Sequence, residues 1–319
     1  MAVRAAVNAE IFQDEYDITG YSNKVSYSGK RDLVDVTTFG SAGHEYYPII
    51  FADEATLDSF FDDSALGPHA AANAARTRTT AGVLSIMPEG DAYGNVALFG
   101  QYWQEDYPIT SDIGDVVKMT QSFKFHDKPS MGQYSMQEGI VLYPKTAVTG
   151  DLNGTTQTNA NLNGTHTGSN DASVLTDSAS TWRVNELVGH TIYNFTDSSS
   201  ATVLSNTATT VTATLAGGTD NDWDTDDIYY ISTAGYTAAL HVFSVSASDT
   251  IDVSIRHSNN NFGSNDDELV AFTQIAAAGF EFKSDASALV RPYVRAVLNV
   301  TGSDVSIEVA VEFNRLGGQ

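Results

Sequence analysis

The segment Asp115 to Phe125, DVVKMTQSFKF, puts Val117, Met119, Gln121, Phe123 and Phe125 on one face and Val116, Lys118, Thr120, Ser122 and Lys124 on the other. A period of two is the mark of a β-strand whose faces meet different surroundings. Comparable short pieces recur along the chain: Lys24 to Phe39, read as a hairpin around a Ser-Gly break, then Ile49 to Phe61, Gly82 to Met87, Val96 to Trp103 and Gly139 to Tyr143. Gly, Asn, Asp, Ser and Pro separate them, as turns between strands require. Such a chain can bury its apolar faces only by packing sheet on sheet or closing a sheet on itself. The expectation is an all-β fold with one short helix at HAAANAARTRT after Gly67-Pro68, where alanine dominates and proline presets the first turn.

With 319 residues the chain has room for about two or three compact units. Residues 1–150 read as a first strand-rich domain, and 151–171, rich in Thr, Asn, Gly and Asp, as a polar linker or surface loop. Residues 172–232 read as a small module of four or five short strands. Residues 233–319 read as a further antiparallel sandwich, with strands at 239–245, 251–257, 269–273, 279–282, 293–300 and 305–313. In its last strand Ile307, Val309 and Val311 face one way while Glu308, Ala310 and Glu312 face the other, the pattern of a strand with one wet side.

Composition narrows the chemistry. The chain has no cysteine, so disulfides, thiolate metal sites and cysteine nucleophiles are out. No stretch of about eighteen apolar residues occurs, and Asn8, Glu10 and Asp14 interrupt the N-terminus, so the chain reads as soluble, with no readable export signal. Forty Asp and Glu against sixteen Lys and Arg give a net charge of −24, which disfavours a surface that grips phosphate backbones.

Phosphate-binding glycine loops and dinucleotide fingerprints do not occur. His44, His69, His126, His166, His190, His241 and His257 are scattered, with no metal-binding pair on one helical face, and read as surface or packed residues. Asp220, Asp222 and Asp224 in TDNDWDTDD are a weak candidate for a hard cation such as Ca²⁺, because the turn glycine and closing glutamate of an EF-hand loop are missing; a solvated turn is favoured. Tyr102, Trp103 and Tyr107 could stack on a sugar, but among Gln104, Glu105 and Asp106 they read as core or contact residues. The expectation is a protein without catalytic residues or cofactors.

Several N-terminal features carry a family resemblance. They are Asp17-Ile18-Thr19-Gly20-Tyr21-Ser22-Asn23 before a strand, DLVDVTTFGSAGHEYYP from Asp32 to Pro48, then TLDSFFDD, GPHAAANAA, GVLSIMPEG and GDVVKMTQSF, spanning roughly 14–145. Their order resembles that of major tail tube proteins of long-tailed double-stranded DNA bacteriophages. The C-terminal RPYVRAVLNVTGSDVSIEVAVEFNR resembles the end of longer members, and 172–232 looks like an insertion.

The resemblance implies a tail-tube β-sandwich or barrel domain plus additional antiparallel β domains, the C-terminal one on the tube exterior. It implies homohexameric rings stacked into a tube, with a tape measure protein and tail-end proteins as partners and double-stranded DNA in transit without specific binding. The implied location is the virion tail, assembled in the host cytoplasm. The glycine-flanked aromatic segment with Phe39, Gly40, Gly43, His44, Tyr46, Tyr47 and Pro48 is expected to contact a neighbouring subunit, and the strand with Val117, Met119, Gln121, Phe123 and Phe125 to serve as a ring strand. The competing readings are another tail component, such as a distal tail or terminator ring, and a secreted carbohydrate-binding β protein.

Overall fold

The strand Ile228–Ser244 runs for 17 residues, and from Tyr236 onward its apolar side chains divide between two cores. Tyr236, Ala238, Leu240 and Val242 enter one apolar cluster, while Ala239 and Phe243 enter another. That alternation reveals a three-layer body, set out here from a computed structural model that describes residues 8–29, 31–37, 43–51, 53–125, 136–159, 162–247, 249–263, 266–302 and 306–316.

The middle layer is antiparallel. Ile228–Ser244 lies between Gly279–Val290 and Ile307–Arg315, and Ile307–Arg315 pairs in turn with Met136–Val148. On one face, Leu240, Val242, Val309 and Val311 meet Ile251, Val253, Ile255 and Leu298. Those four belong to the strands Thr250–Ser258 and Tyr293–Thr301 of a separate five-stranded sheet. On the other face, Ala239, Phe243 and Ala310 meet Phe12, Val83 and Phe99. Phe12 stands edge-on to Phe243 with ring centroids 4.9 Å apart. Each large side chain enclosed in this way contributes about 1.5–3 kcal/mol through removal from water.

The remaining N-terminal strands continue the sheet. Val96–Asp106 pairs with Met136–Val148, Gly82–Met87 and Lys118–Phe125, and Glu54–Phe60 and Ser22–Ser28 extend it outward. The helix Pro68–Thr77 lies where alanine and proline placed it, burying Ala71, Ala72 and Ala75. The fold is all-β with one α-helix among the described residues.

Several sequence expectations change. The stretch 24–39 does not fold back on itself: Ser22–Ser28 pairs with Glu54–Phe60, while Arg31–Asp35 pairs with Tyr46–Phe51 as a two-stranded sheet of its own. The apolar run from Ile49 to Phe61 is therefore divided between two sheets. The last strand is wet only at its start, where Glu308 is part-exposed, because Ala310 and Glu312 on the same side are fully buried against the N-terminal layer. Residues 151–171 are not a bare linker. They include Leu152–Asn153 and Gln157–Thr158, both paired to Tyr293–Thr301, Asn163–Thr165, paired to Ile228–Ser244, and the fully buried His166. The expected C-terminal sandwich is likewise interwoven with the first 150 residues through the middle layer.

Residues 162–231 enclose a core of their own, built on Leu162, Leu175, Trp182, Ile192, Val211, Trp223 and Tyr229. Ile228–Ser244 leaves this module and enters the body without interruption, through a bulge where Gly235 takes φ +85°. The two chain ends of the module meet beside one turn: Thr158 pairs with Tyr293, and Thr233 with Val290. Replacing 162–231 by a short Gly-Ser bridge is therefore expected to leave the body folded, with a single cooperative melt and the β-type circular dichroism of the parent. Loss of soluble, cooperatively melting protein would show that the body needs the module.

Candidate functional site

Polar side chains occupy the centre of the apolar layers, and they come from six separated stretches of sequence. Asp14 follows the first described strand, Glu10–Gln13, in a left-handed backbone conformation with φ 61°. Its carboxylate accepts from the Val83 amide at 2.8 Å and the Tyr102 hydroxyl at 2.5 Å, and pairs with the Arg78 guanidinium. Gly82 is needed here, since a Cβ at that position would lie 2.6 Å from the Asp14 carboxylate and 2.5 Å from the Tyr102 ring. Gln13 bridges this group to the strand Lys118–Phe125, donating to Tyr102 Oη and to Gln121 Oε1, both at 3.0 Å. Burial raises the Asp14 carboxyl above its ordinary range, and Arg78 opposes the rise.

The backbone carbonyl of Asp14 links this group to a second one. His241 donates from Nδ1 to that carbonyl at 2.5 Å and accepts from Ser85 Oγ at Nε2, 2.8 Å away. Glu312 Oε2 lies 3.5 Å from the same Nε2. Burial pushes His241 down to about 4, opposed by the bond to Asp14, and pushes Glu312 up to about 8, opposed by the Ser85 hydroxyl. Both groups are therefore neutral near pH 7.

Ser85, His241 and Glu312 are the residue types of a hydrolytic triad, yet the arrangement differs from one. In such a triad the carboxylate holds Nδ1 while the nucleophile faces Nε2. Here a backbone carbonyl holds Nδ1, and serine and carboxyl crowd the same nitrogen. All three side chains are 0% exposed, so no substrate reaches them in this conformation. What the cluster does is register the layers: Ser85, His241 and the Asp14 carbonyl are joined by hydrogen bonds that a slipped strand would leave unmade, at a cost of about 1–3 kcal/mol for each stranded group, while Glu312 is held beside them by burial alone.

The residues singled out in the sequence are dispersed. Met119, Gln121 and Phe123 face inward together, as their alternation requires, and Gln121 belongs to the buried network. Val117 is 38% exposed, ahead of the strand, and Phe125 is half-buried at its far end. The expected ring-strand role of this segment meets a physical obstacle. Its backbone is paired on one side with Glu54–Phe60 and on the other with Val96–Asp106 and Ile109–Thr110, so neither edge is open to a neighbour.

Of the expected contact segment, Phe39 and Gly40 lie outside the described residues. Tyr47 and Pro48 lie in the strand Tyr46–Phe51, opposite Val34 and Leu33. His44 bonds Asp35 at 3.0 Å and stacks on Tyr46, and Tyr46 is 58% exposed.

The acidic turn also rearranges. Asp222 and Asp224 come together with Asp171, with a carboxylate oxygen from each within 4.8 Å of the others, and Asp220 is not part of the trio. Asp171 is 51 residues upstream of Asp222 and reaches it because Ala172 bridges Trp223. Three carboxylates offer part of the roughly six to eight oxygens that Ca²⁺ takes. Desolvation and the like charges of Asp220, Asp224, Asp171 and Asp197 raise the Asp222 carboxyl.

Sequence reasoning missed the buried cluster for a plain reason. Asp14, Arg78, Ser85, Tyr102, His241 and Glu312 form no local motif. The usable signal was the polar Gln121 in the otherwise apolar face of Met119, Phe123 and Phe125.

No protein-family model matches this chain, and no curated protein matches it. Among solved structures, the tail of an empty GTA particle with C6 symmetry overlaps at TM-score 0.30 and 11% identity, covering 40% of this chain and 96% of that one. The Dit hub protein of phage SPP1 overlaps at TM-score 0.29 and 11% identity, covering 96% and 99%. A chain of the phage p2 baseplate in its activated conformation overlaps at TM-score 0.24 and 9% identity, covering 98% and 99%. Overlaps this loose do not define a shared fold.

Two outcomes test the cluster. An unfolded glutamate ionises near pH 4.5, whereas Glu312 keeps its proton to about 8. Its contribution to stability is thus fully present below pH 4.5 and falls, by about 1 kcal/mol per pH unit, as pH rises toward 8. His241 runs the other way, its contribution present above 6.5 and lost as pH drops toward 4. Glu312→Gln removes the first dependence, so its melting temperature relative to the parent should climb steadily from pH 5 to pH 8; a difference that stays flat across that range contradicts the buried neutral acid. Arg78→Leu leaves the Asp14 carboxylate enclosed without its cation and should cost about 3–5 kcal/mol by denaturant unfolding. Adding Asp14→Asn should recover part of that loss.

Proposed function

We propose that this chain is a structural component of the tail of a long-tailed DNA bacteriophage, forming hexameric rings that stack into the tail tube around a channel for DNA passage. The observation that carries the reading is the hairpin Arg31–Asp35/Tyr46–Phe51. It pairs with no other strand among the described residues, and it displays Val34, Val36 and Tyr46 at 43%, 46% and 58% exposure. An isolated two-stranded hairpin is marginal in water, so a neighbouring copy is the natural source of its missing cover. This is also the segment whose sequence, DLVDVTTFGSAGHEYYP, carries much of the resemblance to tail tube proteins.

Two further features fit. Ser22–Ser28 and Gly279–Val290 each have a single strand partner among the described residues, which places them at sheet edges. Closing a ring with neighbouring copies removes the hazard of open edges. The charge of −24, multiplied around a ring, makes a wall along which DNA passes without adhering. In this reading the protein works without catalysis and without a cofactor. Its partners are its own copies, a tape measure protein and tail-end proteins, and its place is the virion tail, assembled in the host cytoplasm.

Electron microscopy of the purified protein tests the proposal. Stacked rings with an open centre are the expected result. Single rings that never stack would move the protein to a tail-end position, and monomers at high concentration would overturn both.

A further inference from the structure

At the end of the N-terminal sheet opposite the hairpin, the loop between Ile109–Thr110 and Lys118–Phe125 turns its apolar side chains outward. Ile109 is 45% exposed, Val116 53%, Val117 38%, and Ile113 at the tip completely exposed. Strand register gathers them with Phe60, itself 42% exposed. Lys118 stands opposite Phe60, with Val116 two residues further along that face, while Met119 stands opposite Ile109, with Val117 two residues away on the other face, so the projection is apolar on both sides. Divided between the two sides of the projection, the five expose on the order of 400–500 Å² of apolar surface, against ~800 Å² on each partner of a standard interface.

The loop is held in place. Asp115 N donates to Asp112 O at 3.0 Å, Gly114 takes φ +89°, and Phe61 N donates to Val117 O at 3.0 Å. Lys118 Nζ pairs with Asp115 at 2.8 Å. An ordered apolar projection loses little conformational freedom on docking. It is also nearly free of net charge, since Lys118 offsets Asp115 and leaves Asp112 as the one unbalanced charge of 107–119. In so acidic a chain, a second copy is best approached through such a surface.

The hairpin lies at the other end of the strand Glu54–Phe60. Tyr46–Phe51 leads directly into Glu54, whereas Phe60 abuts the loop, roughly 20 Å away along the strand. One molecule thus carries two uncovered apolar projections pointing from opposite ends. Opposed, non-identical patches associate head to tail, which yields rings or stacks instead of closed pairs.

We infer that the Ile113 loop of one copy seats on the face of the next copy's hairpin that carries Val34 and Val36. The identity of that occupant rests on the ring reading above. The absence of native cysteine gives a direct test. Ile113→Cys combined with Val36→Cys, oxidised in assembled protein, should give a ladder of dimers, trimers and larger species on a non-reducing gel. A disulfide needs Cα atoms within roughly 7 Å, so the ladder reports the contact itself. Both single variants should remain monomeric on the gel. All variants are solvent-facing and should melt like the parent. Ile113→Asp forms the second arm, expected to abolish association in sedimentation at an unchanged melting temperature.

Dimers from Ile113→Cys alone would mean that tip meets tip and would overturn the head-to-tail contact. Rings in the microscope with no ladder, or full association of Ile113→Asp, would overturn this contact and leave the ring reading standing. A ladder without rings would support the contact and remove the tail reading. Neither ladder nor assembly would remove both.

Discussion

The strand Ile228–Ser244 is covered on both faces, and the rest of the molecule follows from that constraint. Because Leu240 and Val242 point into one core while Ala239 and Phe243 point into the other, a neighbouring strand that lies between the same two cores must also be apolar on both sides. Ile307–Arg315 meets the same demand with Val309 and Val311 on one face and Ala310 on the other. Small residues on the N-terminal side, Ala239 and Ala310, leave room for Phe12 and Phe99, so the layers approach closely.

A layer buried twice has no water to satisfy its polar groups. His241 and Glu312 therefore depend on each other, on Ser85 and on the Asp14 carbonyl. That dependence converts a packing problem into a register mark, since only one alignment of the strands brings these atoms together. The same strand carries the 162–231 module into the body without a flexible joint, which fixes where that module projects.

Against this closed interior, two elements stand uncovered. The hairpin Arg31–Asp35/Tyr46–Phe51 and the Ile113 loop lie at opposite ends of one sheet, each ordered and each presenting apolar side chains to solvent.

Much of the secondary structure was legible in the sequence: the period of two in KMTQSFKF, the alanine-rich helix after Pro68, the turns at Gly and Asn. Local pattern sufficed because strand and helix periods are properties of neighbouring residues. The acidity and the absence of cysteine were equally plain. Only the tertiary structure decided what covers each face. The alternation of Ile307, Val309 and Val311 with Glu308, Ala310 and Glu312 defines two sides, but a glutamate on the second side reads as wet until a distant Ser85 and His241 are seen to enclose it. Pairing partners and buried polar contacts join residues tens to hundreds of positions apart, and no short window of sequence contains both halves of such an interaction.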